Sequence, residues 1–182
     1  MSDSDFAKKM MENEDLSVFI IAYQRVTGYK LTIADPGECP DFICVDAGGR
    51  RIGIELTKVY ASTHTERTLE GFREAFELEP VTGYDLCWGI DEAAYHKSEK
   101  VRNGSWRFKR NMLVLQVYEC PLDEVAPCLD DLVDDIVSNS VFQQIWVAGF
   151  YEQDAYSEID LYCIKPARFR GYHSRPFEKP YG

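Results

Sequence analysis

The sequence predicts an α/β domain in which a mixed central β-sheet is flanked by helices. Apolar runs at 111–118 and 142–150 are typical of buried strands. Apolar residues at helical spacing in 15–27 and 129–137 predict amphipathic helices. Because helices and apolar strands alternate, they are expected to share one core, and the 182 residues are expected to form a single domain, 1–182.

The N-terminal part of the chain predicts a helix. Apolar residues recur at spacings of three and four between Leu16 and Val26, so a helix is expected from about Asp15 to Thr27. Glu12 and Glu14 would lie at its start. Acidic side chains are favoured at a helix N-terminus, which is the simplest explanation for these two residues.

A β-hairpin is predicted next, and it carries two carboxylates. Apolar strands at 42–45 and 51–60 flank the turn residues Asp-Ala-Gly-Gly at 46–49. Asp41 opens the first strand, and Glu55 lies within the second among apolar residues. A buried glutamate is costly unless it is paired. If the hairpin aligns Asp41 with Glu55, the pair is suited to Mg²⁺, which binds carboxylate oxygens and keeps several waters.

The rest of the chain continues the alternation of helices and strands. No internal repeat and no linker between domains interrupts it. The residues after 166 show no periodicity. The elements expected after the hairpin are a helix ending near residue 80, a loop through Gly83 and Gly89, a helix at 91–102, the strand at 111–118, the helix at 129–137, and strands at 142–150 and 159–164.

The hairpin resembles the PD-(D/E)XK nuclease superfamily, the fold group of many restriction endonucleases. The residues that carry the resemblance are Pro-Asp-Phe at 40–42 and Gly-Ile-Glu-Leu-Thr-Lys at 53–58. The resemblance implies a restriction endonuclease-like core and a metal-dependent nuclease, with DNA as the expected substrate. In this family the Asp and the Glu hold the metal, and some members place an additional metal-ligating or orienting Glu on the preceding helix, which is the alternative role for Glu12 and Glu14. Asp41 and Glu55, with the Leu56 backbone carbonyl, would therefore bind Mg²⁺ or Mn²⁺.

The family's catalytic lysine has no direct counterpart. Its position, two residues after the Glu, is occupied by Thr57, and Lys58 is expected to point to the opposite face of the strand. In several branches of the family a helix supplies the lysine instead. Lys97 lies on the apolar stripe of the predicted helix 91–102, so it is the first candidate and Lys58 the second. Thr57 would hydrogen-bond a water in the ion's hydration shell. The alternative for Lys97 is that it extends its ammonium group to solvent.

Charge is distributed unevenly along the chain. The formal net charge of −11 opposes non-specific binding to nucleic acid. A local cluster of basic residues can nevertheless attract phosphate, and a solvated surface is an equally good interpretation of each cluster alone. The residues expected to contact nucleic acid are Lys100, Arg102, Arg107, Lys109 and Arg110.

Two alternatives to a nuclease remain open. The chain could be a non-enzymatic protein on the same fold that binds a partner, which the displaced lysine and the net charge favour. Glu55 could also pair with Lys97 or an arginine for structural reasons, the family match being accidental. Neither a signal-peptide pattern nor an apolar run of membrane-spanning length is present, so a cytoplasmic protein that does not enter membranes is expected. A homodimer is expected if both strands of a duplex are cut.

Overall fold

The structure, a computed structural model, describes residues 3–36, 40–61, 81–104, 108–151 and 158–176. These residues form a seven-stranded mixed sheet and three α-helices, so the α/β prediction is confirmed. The helices are α1 (Asp3–Thr27), α2 (Gly83–Asn103) and α3 (Leu122–Asn139). The strands are β1 (Leu31–Pro36), β2 (Phe42–Asp46), β3 (Arg51–Val59), β4 (Asn111–Val117), β5 (Gln144–Gly149), β6 (Asp160–Lys165) and β7 (Gly171–His173).

The strands lie in the sheet in the order in which they occur in the chain. The central strands β3, β4 and β5 are parallel, and the pairs on either side of them are antiparallel. Parallel neighbours require a crossover connection, and α2 and α3 lie in the crossovers between β3 and β4 and between β4 and β5. The predicted hairpin is formed by β2 and β3.

The sheet separates two hydrophobic cores. On one face, α2 and α3 pack over Leu113 and Leu115 of β4. On the other face, α1 packs over Met112 and Val114 of the same strand. All seven residues of β4 are buried, which agrees with its prediction as a central strand.

Helix α2 begins eight residues earlier than the sequence predicts, so the expected loop at 83–89 is wrong. Thr82 caps the helix: its hydroxyl accepts a hydrogen bond from the Asp85 N–H, and the Asp85 side chain accepts from the Thr82 N–H. Gly83 and Gly89 lie in the helix where neighbouring backbone comes so close that no side chain fits. A Cβ atom would lie 2.2 Å from the Glu124 carbonyl oxygen at Gly83, and 2.2 Å from the Tyr60 carbonyl oxygen at Gly89.

Other differences from prediction concern the ends and edges of the fold. Helix α1 extends twelve residues further toward the N-terminus than expected, so Glu12 and Glu14 lie inside it. Strands β1 and β7 were not expected; β1 is irregular between Ile33 and Asp35, and β7 spans three residues, so neither carries a clear alternation. The helix predicted to end near residue 80 lies outside the described residues. The described helices include no candidate for a membrane span.

Candidate active site

The candidate site forms where β2 leaves β3. Phe42 of β2 pairs with Ile54 of β3, so Asp41, one residue earlier, is in register with Glu55. From Glu55 to Val59, β3 continues with β4 as its neighbour. The Asp41 carboxylate occupies the edge that β2 has left: its Oδ2 accepts a hydrogen bond of 2.9 Å from the Leu56 N–H. The hairpin thus brings both carboxylates to one place.

The Leu56 carbonyl faces the same edge as the Asp41 carboxylate. In a β-strand, the N–H and C=O of one residue point to the same side, and those of successive residues alternate. The Gly53 N–H donates toward β4, to the Arg110 carbonyl oxygen, whereas the Leu56 N–H donates to Asp41. The Leu56 carbonyl oxygen is therefore directed toward Asp41. The Asp41 carboxylate and this main-chain oxygen therefore share one edge of β3, and the Glu55 carboxylate lies close enough for its charge to act on Asp41.

Lys97 of α2 reaches the site from the helical layer. Its Nζ lies 2.5 Å from Oε1 of Glu55. The Glu55 side chain is 7% exposed and the Lys97 side chain 24% exposed, so the pair is largely withdrawn from water. A carboxylate buried to this degree requires such a partner. The apolar stripe of the helix predicts that Lys97 points inward. In the structure Lys97 does point inward, to Glu55 of β3.

Asp41 lies in an unfavourable environment for a negative charge. Burial, followed by the nearby charge of Glu55, raises its pKa to about 6; the Leu56 N–H and Lys97 act in the opposite direction. Glu12 of α1 also raises this pKa, which places a third carboxylate within electrostatic reach. Glu12 pairs with Lys8 at 3.6 Å. The excess of negative charge at Asp41 is what a bound cation would neutralise.

Thr57 lies on the same face of β3 as Glu55, because it is two residues further along the strand. Its hydroxyl oxygen is buried and has no hydrogen-bond partner among the described residues. A buried hydroxyl without a partner is costly, typically by about 1–3 kcal/mol. The hydroxyl is therefore available to a ligand or water held by the site.

Lys58 is directed away from the carboxylates. Its ammonium group lies 5.1 Å from the centre of the Tyr118 ring, on the α1 side of the sheet. The Tyr118 hydroxyl donates to Asp15 of α1 at 2.6 Å. Of the two lysine candidates, the structure brings Lys97 to Glu55 and places Lys58 in this other cluster.

The oxygen donors fit a hard divalent cation. Mg²⁺ is usually held by one or two carboxylates and keeps several waters, and the Asp41, Glu55 and Leu56 oxygens meet that description. Within the described ranges, no group of three or more His, Cys, Asp or Glu side chains is arranged to hold a metal. The fit therefore depends on two carboxylates, a carbonyl and solvent.

The described basic residues that are expected to contact nucleic acid lie in the last turn of α2 and in the segment just before β4. Lys100 and Lys109 are exposed. Arg102 donates to Glu99 and to the Asn139 carbonyl oxygen, and an Arg110 guanidinium nitrogen lies 3.7 Å from Asp46. Arg107 lies outside the described residues. Among the described residues of the predicted cluster, Arg102 and Arg110 thus have an acidic or carbonyl partner, whereas Lys100 and Lys109 are exposed.

Gly53 lets Pro40 approach the strand that carries Glu55. A Cβ atom at Gly53 would lie 2.8 Å from Cγ of Pro40 and 3.2 Å from the Phe108 ring. We expect Gly53→Ala to displace Pro40 and with it Asp41, lowering the free energy of unfolding by about 1–3 kcal/mol and weakening Mn²⁺ binding. Urea unfolding and calorimetric Mn²⁺ titration measure both. The double variant Gly53→Ala/Pro40→Ala should recover part of each loss; no recovery would contradict this explanation.

Comparison with known proteins finds no matching family model, no matching curated protein and no matching solved structure.

Proposed function

We propose that the protein is a metal-dependent phosphodiesterase that hydrolyses nucleic acid, with DNA as the expected substrate. The observation that supports this most directly is the convergence of Asp41, Glu55 and Lys97 at the point where β2 leaves β3. Carboxylates for a cation and an ammonium group for developing negative charge are the parts that phosphodiester hydrolysis needs.

Each side chain has a distinct role in this proposal. Asp41 and Glu55, with the Leu56 carbonyl, would hold Mg²⁺ or Mn²⁺. When bound, such an ion polarises the scissile phosphate and lowers the pKa of a coordinated water. Lys97 would orient the attacking water or offset charge on the phosphate in the transition state. The Thr57 hydroxyl, which has no partner in the described part of the chain, would donate a hydrogen bond to that water.

A purely structural ion pair accounts for only part of the arrangement. Pairing with Lys97 is sufficient to explain why Glu55 is tolerated in the interior. It does not explain why Asp41 is kept beside Glu55, where the charge of Glu55 raises the pKa of Asp41, or why the buried Thr57 hydroxyl has no partner among the described residues. A cation and its hydration shell would stabilise both groups.

A second candidate is a non-enzymatic protein on the same scaffold that binds a protein or nucleic-acid partner. Thr57 at the family's lysine position and the net charge of −11 favour it. Such a protein would have no need to bind metal. A Mn²⁺ titration therefore separates the two candidates before any substrate is known.

The direct test is cleavage of supercoiled, linear and single-stranded DNA in Mg²⁺ and in Mn²⁺. We expect the wild-type chain to cut and both Asp41→Ala and Glu55→Gln to lose cutting by at least about a hundredfold. Asp35→Asn, at an exposed position on β1, serves as the control and should cut normally. Wild-type cutting that survives Asp41→Ala in a folded protein would end this assignment.

Two properties follow from the proposal. Cutting both strands of a duplex is simplest with two copies related by twofold symmetry, so we propose a homodimer on substrate. We also place the activity in the cytoplasm, a compartment compatible with the free thiols of the described cysteines. Sedimentation with and without duplex DNA tests the first property.

A further inference from the structure

A cluster of positive charge lies at the end of the sheet where the central strands β3 and β4 begin. We name it the basic lip and define it as Arg50, Arg51, Lys109 and Arg110. All four side chains belong to exposed residues. Arg50 ends the β2–β3 turn, Arg51 begins β3, and Lys109 and Arg110 lie just before β4. The Gly53 N–H joins these segments by donating to the Arg110 carbonyl oxygen at 3.0 Å.

Asp46 holds the basic lip in place. One of its carboxylate oxygens accepts hydrogen bonds from the N–H groups of Gly48 and Arg50, at 2.9 and 3.0 Å, and so fixes the turn. The other oxygen lies 2.7 Å from Nε of Arg50 and 3.7 Å from a guanidinium nitrogen of Arg110. One carboxylate therefore brings two arginines together, while their side chains remain 62% and 44% exposed. An arginine that is already oriented loses less freedom when it binds phosphate.

Arg51 connects the basic lip to the candidate active site. It lies on β3 four residues before Glu55, so both side chains point to the same face of the strand, at a separation of about 13 Å. Its guanidinium lies 5.9 Å from the centre of the Phe108 ring, which holds it over that face. Between Arg51 and Glu55 the same face of β3 is covered at Gly53 by Pro40 and Phe108, so a nucleic-acid strand that joins the two positions would pass over these residues.

We propose that the basic lip binds the sugar–phosphate backbone of the nucleic-acid substrate on one side of the cut. This inference rests on the proposed function, and it adds Arg50 and Arg51 to the contacts expected from sequence. Exposed, preoriented guanidinium groups bind phosphate oxygens at any sequence. In a chain with a net charge of −11, such a local patch determines where an anionic polymer can approach.

The test measures the salt dependence of binding to a short DNA duplex without divalent cation, by fluorescence anisotropy, from about 50 to about 200 mM salt. The test variant is Arg51→Gln/Lys109→Gln, which spares the Asp46 contacts. The matched control is Lys9→Gln/Lys30→Gln, which removes the same charge from two exposed positions, one in α1 and one between α1 and β1. We expect the slope of log K against log salt to fall by about 1.8 in the test variant and to stay unchanged in the control.

The outcomes separate this inference from the proposed function. A test variant whose slope matches that of the control overturns the role of the basic lip, even if the wild-type chain cuts DNA in Mg²⁺. A wild-type chain that neither binds the duplex nor cuts it overturns both. A reduced slope in the test variant alone supports the basic lip whether or not cleavage is found.

Discussion

Replacing Lys97 with methionine should lower the rate of DNA cleavage by about a hundred- to ten-thousandfold and, at the same time, tighten Mn²⁺ binding. Cleavage falls because the ammonium group that would act on the water or the phosphate is gone. Binding tightens because Lys97 and a divalent cation compete for the same carboxylate: Nζ lies 2.5 Å from Oε1 of Glu55. Removing the resident positive charge leaves Glu55 free for the incoming one.

Single-turnover cleavage and calorimetric Mn²⁺ titration measure the two effects separately. Lys30→Met, at an exposed position between α1 and β1, is the control and should change neither quantity by more than about threefold. The metal-free Lys97→Met protein should also be less stable than wild type by about 3–5 kcal/mol, because Glu55 remains buried without the ammonium group that pairs with it. If Mn²⁺ bound Lys97→Met more weakly than wild type, competition for Glu55 would be excluded.

Asp41→Asn should stabilise the metal-free protein at neutral pH by up to about 3 kcal/mol while abolishing its response to Mg²⁺. Burial and the charge of Glu55 raise the pKa of Asp41 to about 6, above the value of about 4 expected in the unfolded chain. Ionising Asp41 is thus costly in the folded state. The asparagine keeps an oxygen for the Leu56 N–H and carries no charge.

The pH dependence follows from the direction of the shift. Between about pH 4 and pH 6 the folded state binds more protons at Asp41 than the unfolded state does, so the wild-type protein loses stability as the pH rises through this window. Below about pH 4 the carboxyl is protonated in both states, and the advantage of Asp41→Asn disappears. The advantage is fully present above about pH 6.

Urea unfolding in a chelator at about pH 4 and about pH 7.5 measures this difference, and Asp35→Asn controls for the loss of an exposed carboxylate. Addition of Mg²⁺ at the higher pH should raise the stability of the wild-type protein but not that of Asp41→Asn. An advantage of Asp41→Asn that is equal at both pH values would show that charge at Asp41 is not its cause.

The sequence predicts those parts of the fold and site in which periodicity is strong. The apolar run of β4 and the turn between β2 and β3 identify the sheet centre and the hairpin, and the alternation along β3 correctly separates Lys58 from Glu55. The helical stripe places Lys97 on the inward face. Each of these inferences depends on local geometry, which a period of two or 3.6 residues determines.

Other features depend on contacts between distant segments and could not be predicted. Gly83 and Gly89 predict a loop because glycine disfavours helix. In the structure, glycine is required at these helical positions because the backbone of α3 and of Tyr60 comes close. The capping pair Thr82 and Asp85 was the available signal for the earlier helix start. The approach of Glu12 to Asp41 depends on how α1 packs, and no spacing in the sequence reveals it.

The close backbone contacts at Gly83 and Gly89 determine the tilt of α2, and with it the position of Lys97. Gly83 and Gly89 press the N-terminal half of the helix against neighbouring backbone, whereas Lys97 lies eight residues beyond Gly89, about 12 Å along the axis. A tilt of about 10° at Gly89 would therefore move the base of Lys97 by about 2 Å, and misplacement of about 1 Å can cost a hundredfold in rate. The alignment of the ammonium group is thus determined at a point remote from the chemistry. A single methyl group added at Gly89 would displace the Lys97 ammonium group from Glu55.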